Sequence, residues 1–380
     1  MIRTLLVAAF AAMLPSLVFA QRAQGFNPNT PDGKMVDSIQ KTTDPAQKQA
    51  LLEQFVKAFP TSAQAGWAWA QLQDAYLKAQ QYDKVIEAGQ KSLAADPDDT
   101  AVAYNNLKAA EATNDAAGVM KWSAETSKAA RKEIASFRPG ADDQSRLDYA
   151  KQVDTYTEYS VYATAAKTTD PAQIVALIDS LQQRAPQSPY LSKAYGRYLN
   201  ALQQTGQGDK AEAQAEQQLQ RDPNNEDVLA FAASHNLQKN DAEKTLAYSS
   251  KLVELMQSKA KPADISDADW AKKKDTMLGL GYWMEGVSHN SRHQYADADK
   301  SLRAALPLVK ENTQLLPIVL FHLGVADFEL GKAAKTRTAG RAMMRDALKF
   351  SQQSAALKSP MQAEAANNVK AISRALGVAR

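Results

Sequence analysis

After residue 33, apolar side chains recur every three or four positions, and strict alternation is nearly absent. That period belongs to helices. In "DPAQKQALLEQFVKAFP" (44–60), Asp44 has the chemistry of an N-cap, and Pro45 suits the first helical position. Leu51, Leu52, Phe55 and Phe59 then recur at helical spacing, and Pro60 ends the run. Similar stretches follow between short polar breaks: "DPDD" (96–99), "RPGADD" (138–143), "APQSP" (185–189), "TGQGD" (205–209), "DPNN" (222–225) and "KPADISD" (261–267). The pattern predicts about sixteen helices and no strand. Residues 21–33, "QRAQGFNPNTPDG", are polar and read as a flexible leader, followed by a first short helix up to residue 43.

The chain also repeats itself. "KTTDPAQ" occurs at 41–47 and again at 167–173, 126 positions later. The register continues without a gap for nearly ninety residues. Pro60 meets Pro186, Trp69 meets Tyr195, Asp83-Lys84 meets Asp209-Lys210, and Asn114-Asp115-Ala116 meets Asn240-Asp241-Ala242. This is an internal duplication. Each "KTTDPAQ" reads as a helix junction: a Lys at the end of one helix, two threonines in the turn, then an Asp cap and a Pro start.

A shorter unit lies within each copy. In "WAQLQDAYLKAQQYDKVIEAGQKSLAADPDD" (69–99), Trp69, Leu72 and Tyr76 stand at W-x2-L-x3-Y spacing, Tyr82 follows in the turn, and Pro97 closes the unit. Gly286, Tyr295, Ala298 and Ala305 keep the same register later on, as do Leu323, Gly324 and Gly331. Over roughly residues 45 to 376 the chain resembles the tetratricopeptide repeat (TPR) superfamily, a 34-residue helix–turn–helix unit. Gln73 stands where a small residue is usual, and Gly89 where an aromatic is usual. The resemblance implies an all-α TPR-type solenoid wound as a right-handed superhelix. The expected division is a first module at 44–166, its duplicate at 167–292, and a truncated third module with a capping helix at 293–380.

The N-terminus carries a different pattern. Arg3 precedes the apolar "LLVAAFAAMLPSLVFA", which is interrupted by Pro15 and ends in Val18-Phe19-Ala20. This reads as a secretory signal over 1–20, cut after Ala20, and places the protein in the periplasm or outside the cell. No later stretch is apolar enough to span a bilayer. The sequence has 0 cysteines, so there is no lipid-attachment cysteine, no disulfide and no thiolate metal site. A formal charge of +3 does not point to nucleic acid.

Catalytic signatures are missing. There is no P-loop, dinucleotide fingerprint, nucleophile elbow or HExxH, so the expectation is a non-enzymatic protein without a cofactor. His289 and His293 lie four apart and would share a helix face. His289, however, falls where the repeat buries an aromatic and His293 falls in a turn, so no metal is assigned to them. The segment 331–345 holds Lys332, Lys335, Arg337, Arg341 and Arg345 with no acid among them. It looks like an insertion within a repeat, either a solvated loop that extends the next helix or a weak contact for an anionic surface.

In the repeat family the first helix of each unit lines a groove that holds a protein or peptide segment. The resemblance carries this role to Trp67, Asp74, Asn105, Tyr156, Tyr159, Lys193, Asn200, Phe231, Trp283, Phe321 and Phe328. Arg197, four residues after Lys193, forms a basic pair resembling one that holds a partner's C-terminal carboxylate. The layout of a signal followed by such repeats implies an extracytoplasmic scaffold in cell-envelope assembly or maintenance. The alternative is a binding protein for cell-wall fragments or oligosaccharides, stacking sugars on an aromatic groove.

Overall fold

The computed structural model describes residues 25–140, 142–263 and 265–378. The signal segment 1–20 lies outside them. Among the described residues there are seventeen helices and no strand, one helix more than the sequence pattern predicts. None of these helices is long and apolar enough to cross a membrane.

The chain divides into two compact units, one ending at Thr205 and one starting at Gly206. The first holds α1 (Pro31–Lys41), α2 (Pro45–Ala58), α3 (Ala65–Lys78), α4 (Tyr82–Ala95), α5 (Thr100–Ala112), α6 (Ala116–Ser136), α7 (Gln144–Lys167), α8 (Pro171–Arg184) and α9 (Pro189–Gln204). Each packs on its sequence neighbour, and α3, α5, α7 and α9 also pack side by side. They form one layer of first helices. The second unit holds α10 (Gly208–Arg221), α11 (Glu226–Gln238), α12 (Ala242–Ser258), α13 (Asp267–Ser291), α14 (Tyr295–Val309), α15 (Leu315–Ala333), α16 (Arg337–Ala356) and α17 (Gln362–Leu376). There α11, α13, α15 and α17 make the corresponding layer.

The duplication is visible in the elements themselves. Helices α2, α4 and α5 recur as α8, α10 and α11, each with its first and last positions shifted by 126. Both "KTTDPAQ" segments are junctions: Thr42 and Thr168 end their helices, and Pro45 and Pro171 open the next. Asp44 accepts from the Gln47 amide at 2.8 Å, and Asp170 accepts from the Ala172 amide at 2.9 Å. These bonds satisfy amide groups that the first turn leaves without partners.

Small residues let the helices approach. A Cβ on Gly286 would lie 2.4 Å from Cγ of Leu302, and one on Gly340 would lie 2.6 Å from the carbonyl oxygen of Gly331. Within 331–345 the non-helical part is short, and most of the segment belongs to the helices on either side. Its first residues end α15, Ala334–Thr336 make the turn, and the rest is α16, crossing α15 at a glycine pair. Larger apolar side chains fill the remaining space, with Ile39, Phe55, Leu72 and Val85 in the first unit and Leu229, Leu252 and Met284 in the second.

Candidate binding cleft

The layer of first helices in the N-terminal unit opens into a cleft of about 380 Å³. Its floor comes from α3 and α5, and one wall from the turn after α4. The end of α6 and the start of α7 complete it. Gln73, buried on α3, forms the base. Its Nε2 donates to the Val102 carbonyl at 3.0 Å and to Asn106 Oδ1 at 2.9 Å. Asn105 Nδ2 donates to Asp74 Oδ1 at 2.9 Å and to Gln73 Oε1 at 3.3 Å. Lys108 Nζ donates to Asn105 Oδ1 at 3.2 Å. On the far side Lys132 pairs with Asp98, and Arg146 meets Glu133 at 2.8 Å.

The electrostatics of this cleft are those of charged groups removed from water. Burial raises the Asp74 and Asp99 carboxyls above the usual carboxylate range, and it lowers the Lys108 ammonium. The Tyr149 hydroxyl at the rim is raised by the same cause. Asp74 has an amide donor but no cation within ion-pair distance among the described residues. Such a site gains from a partner that supplies hydrogen-bond donors and charge.

Of the residues assigned to the groove, Asp74 and Asn105 line this cleft. The others share the first-helix layers but have other surroundings. Trp67 packs on the first core cluster. Tyr156 donates to both Glu111 carboxylate oxygens at 3.1 Å, and its ring meets those of Tyr104 and Tyr159. Tyr159 lies against Tyr190, which stacks on Tyr162. Arg197 donates to the Thr168 carbonyl, within the second "KTTDPAQ". Lys193 and Asn200 are exposed, and the Asn200 amide turns back to the Gly196 carbonyl at 2.7 Å.

In the second unit Phe231 is buried and stacked on His235, while Trp283 packs against two core clusters. Phe321 meets the His322 ring at its edge, and Phe328 packs against a small cluster beneath Lys332. These rings direct much of their surface at protein neighbours, which leaves little open face for a stacked sugar. His289 Nδ1 lies 2.9 Å from Gln294 Oε1, and His293 Nδ1 lies 2.7 Å from the Tyr295 hydroxyl. No group of three metal-capable side chains assembles among the described residues. Burial lowers His322 to about 4, so its imidazole is neutral near pH 7.

Sequence reasoning missed Gln73, Lys108, Lys132 and Arg146 as cleft residues. Gln73 carried a signal, since it breaks the small-residue pattern of the repeat. The two cations of the far wall had none: Lys132 lies on α6, outside the first-helix layer, and Arg146 lies in the first turn of α7.

Fold and cleft together define a helical-repeat protein with a polar, charged recess on its first-helix layer. No family model matches the chain, and no curated protein matches it. Among solved structures it is similar to the P58(IPK) TPR domain, at 12% identity over 92% of this chain and 99% of that one, with a TM-score of 0.26. It is also similar to the APC/C hetero-tetramer Cut9-Hcn1, at 11% identity over 92% of this chain and 85% of that one, with a TM-score of 0.24. Scores this low say nothing of a common partner or activity.

Proposed function

We propose that the protein is a non-enzymatic, extracytoplasmic scaffold of tetratricopeptide type that holds a protein or peptide segment against its first-helix layer, in the service of the cell envelope. The observation that carries this reading is the cleft over Gln73, Asp74 and Asn105, which lies on the first-helix layer and is lined largely by polar and charged side chains. An extended peptide offers further hydrogen-bond donors and a positive charge, and Asp74 has no cation at ion-pair distance among the described residues. The signal segment supports the extracytoplasmic placement, and N-terminal sequencing of the mature protein should begin at Gln21.

The test is site-specific photo-cross-linking in intact cells. A photoreactive residue at Gln71 or Ser136, both beside the cleft, should trap the same partner. One at Lys48 on α2, which does not line the cleft, should not. Asp74→Ala combined with Lys108→Ala should reduce the trapped product about tenfold, as expected when one buried polar anchor is lost. Equal trapping at Lys48, or no loss in the double variant, would remove the cleft from the function.

A further inference from the structure

We infer, resting on the peptide-holding role proposed above, that the bound segment is anchored in the cleft over Gln73, Asp74 and Asn105 by a lysine or arginine side chain. The balance of charge is the first observation. Five carboxylates line the cleft against three cations, Lys108, Lys132 and Arg146. Lys132 pairs with Asp98 and Arg146 with Glu133, while Lys108 turns to Asn105 Oδ1 at 3.2 Å. Asp74, half-buried at the floor, accepts from Asn105 at 2.9 Å and has no cation within ion-pair distance among the described residues. A cation arriving there is attracted more strongly than it would be in open water.

The duplication supplies the second observation. Shifted by 126 positions, Asp74, Asp98 and Asp99 meet Asn200, Asn224 and Asn225. Each pair has nearly the same shape and differs by one charge. Helix capping does not require that charge. Asp99 caps α5 by accepting from the Ala101 and Val102 amides, both at 3.0 Å, and Asn225 caps α11 by accepting from the Val228 amide at 3.1 Å. Asparagine serves as well as aspartate in that position. A carboxylate drawn away from water is costly, and burial raises Asp74 and Asp99 accordingly. Where the fold brings two lysines to a buried carboxylate, at Glu226, the carboxyl is held at about 2 instead. The first copy thus keeps negative charge around its cleft that the second copy's helices do without.

The lining also selects what carries the cation. A free amine would meet Asp74 but would offer nothing to the donors beside it. Lys108 has three ammonium protons, one of which goes to Asn105. A peptide segment serves both kinds of group, with its basic side chain at Asp74 and its backbone carbonyls at Lys108. An acidic side chain entering the same space would face the majority charge of the lining.

The test uses the whole protein and immobilised nonapeptides with mixed flanks and one fixed central residue. Central Lys or Arg should retain the protein about tenfold better than central Gln, norleucine or Glu, and retention should weaken as salt is added. Butylammonium, a lysine side chain without its backbone, should compete at least about tenfold less well than the Lys peptide. Asp74→Asn, Asp98→Asn and Asp99→Asn together, the residue types of the second copy, should remove the preference for a basic residue. Their thermal unfolding should stay at or above the parent's temperature, because shape and capping are kept. Retention indifferent to the central residue, a preference that survives the three substitutions, butylammonium competing as well as the peptide, or a triple variant that unfolds well below the parent would each overturn the proposal. The two readings fail separately. A triple variant that still traps its partner from Gln71 in cells removes the basic anchor and leaves the scaffold. Selection of a basic residue by a protein that traps nothing from Gln71 or Ser136 does the opposite.

Discussion

Gln73 and Gly89 each depart from the repeat pattern, and in the structure the two departures explain each other. The buried Gln73 amide spans to Asn106 and occupies the space beside Gly89. A Cβ on Gly89 would lie 2.3 Å from Gln73 Nε2 and 2.2 Å from Asn106 Oδ1. The position lacks a side chain because an amide pair fills the gap. In the duplicate, the residues 126 positions later are Leu199, Ala215 and Ala232, a trio with no polar group. The polar trio belongs to the first copy alone. Gly89→Ala should therefore cost about 1–3 kcal/mol, since a methyl group must displace a buried hydrogen-bonded pair. Adding Gln73→Leu and Asn106→Ala, the residue types that the duplicate carries at these positions, should restore stability to within about 1 kcal/mol of the parent, because the three sites are coupled. Denaturant midpoints measure both. A neutral Gly89→Ala, or a triple variant worse than the single one, would sink this account.

At the scale of elements, the repeat is written in its turns. Gln80, Asn114, Gly206, Asn240 and His293 all have left-handed backbone, with φ of 55°, 54°, 76°, 59° and 59°. The first two stand 34 apart, as do the next two, and the pairs are related by the 126-residue shift. Where Asn114, Asn240 and His293 end first helices, the following amide reaches back to Ala110, Asn236 and His289 at 2.9 Å, a Schellman closure. Side chains other than Gly, and to a lesser degree Asn, are strained there. Gln80 is exposed, and its counterpart is Gly206. Gln80→Gly should raise stability by about 1 kcal/mol, while Gly206→Ala should lower it by a similar amount. Thermal unfolding decides, and a Gln80→Gly variant weaker than the parent would contradict the strain argument. The helices were legible because 3.6-residue periodicity, caps and prolines act locally. His293 was readable as a turn residue for the same reason. The cleft was not, because its walls come from α6 and α7, and facing residues of different helices leave no periodic trace. Nor could periodicity separate Trp283 and Phe231 as groove residues from the same rings as packing residues, since both roles occupy the same helical face.

For the whole molecule, the carboxyl groups pull stability in opposite directions as pH changes. Burial raises Asp74, Asp99 and Glu111 in the first unit. In the second unit burial, with Asp299 close by, raises Asp327 to about 7 although Arg303 lies 2.8 Å away. A carboxyl whose pKa is higher in the folded state holds its proton there after the unfolded chain has released it. Its contribution is complete below the unfolded value and is lost as pH rises through the folded one. Glu226 behaves in the opposite sense. Burial works against its charge, but hydrogen bonds from Lys259 and Lys273, the latter at 2.7 Å, outweigh it and hold the carboxyl at about 2. That contribution is present above the ordinary Glu value of 4.5 and is lost as pH falls towards 2. The two sets share no window: the first weakens the fold on the way up to neutrality, the second on the way down into acid. Stability should therefore peak at about pH 5, decline gradually towards about pH 8, and fall steeply below about pH 4. Asp327→Asn should flatten the neutral limb and leave the acid limb in place. Glu226→Gln should do the reverse, at a cost in stability at about pH 5, because it leaves two half-buried lysines without their shared carboxylate. Thermal unfolding across this range tests both limbs at once, and a parent protein more stable at about pH 8 than at about pH 5 would refute the burial of charge on which the account of these carboxyls depends.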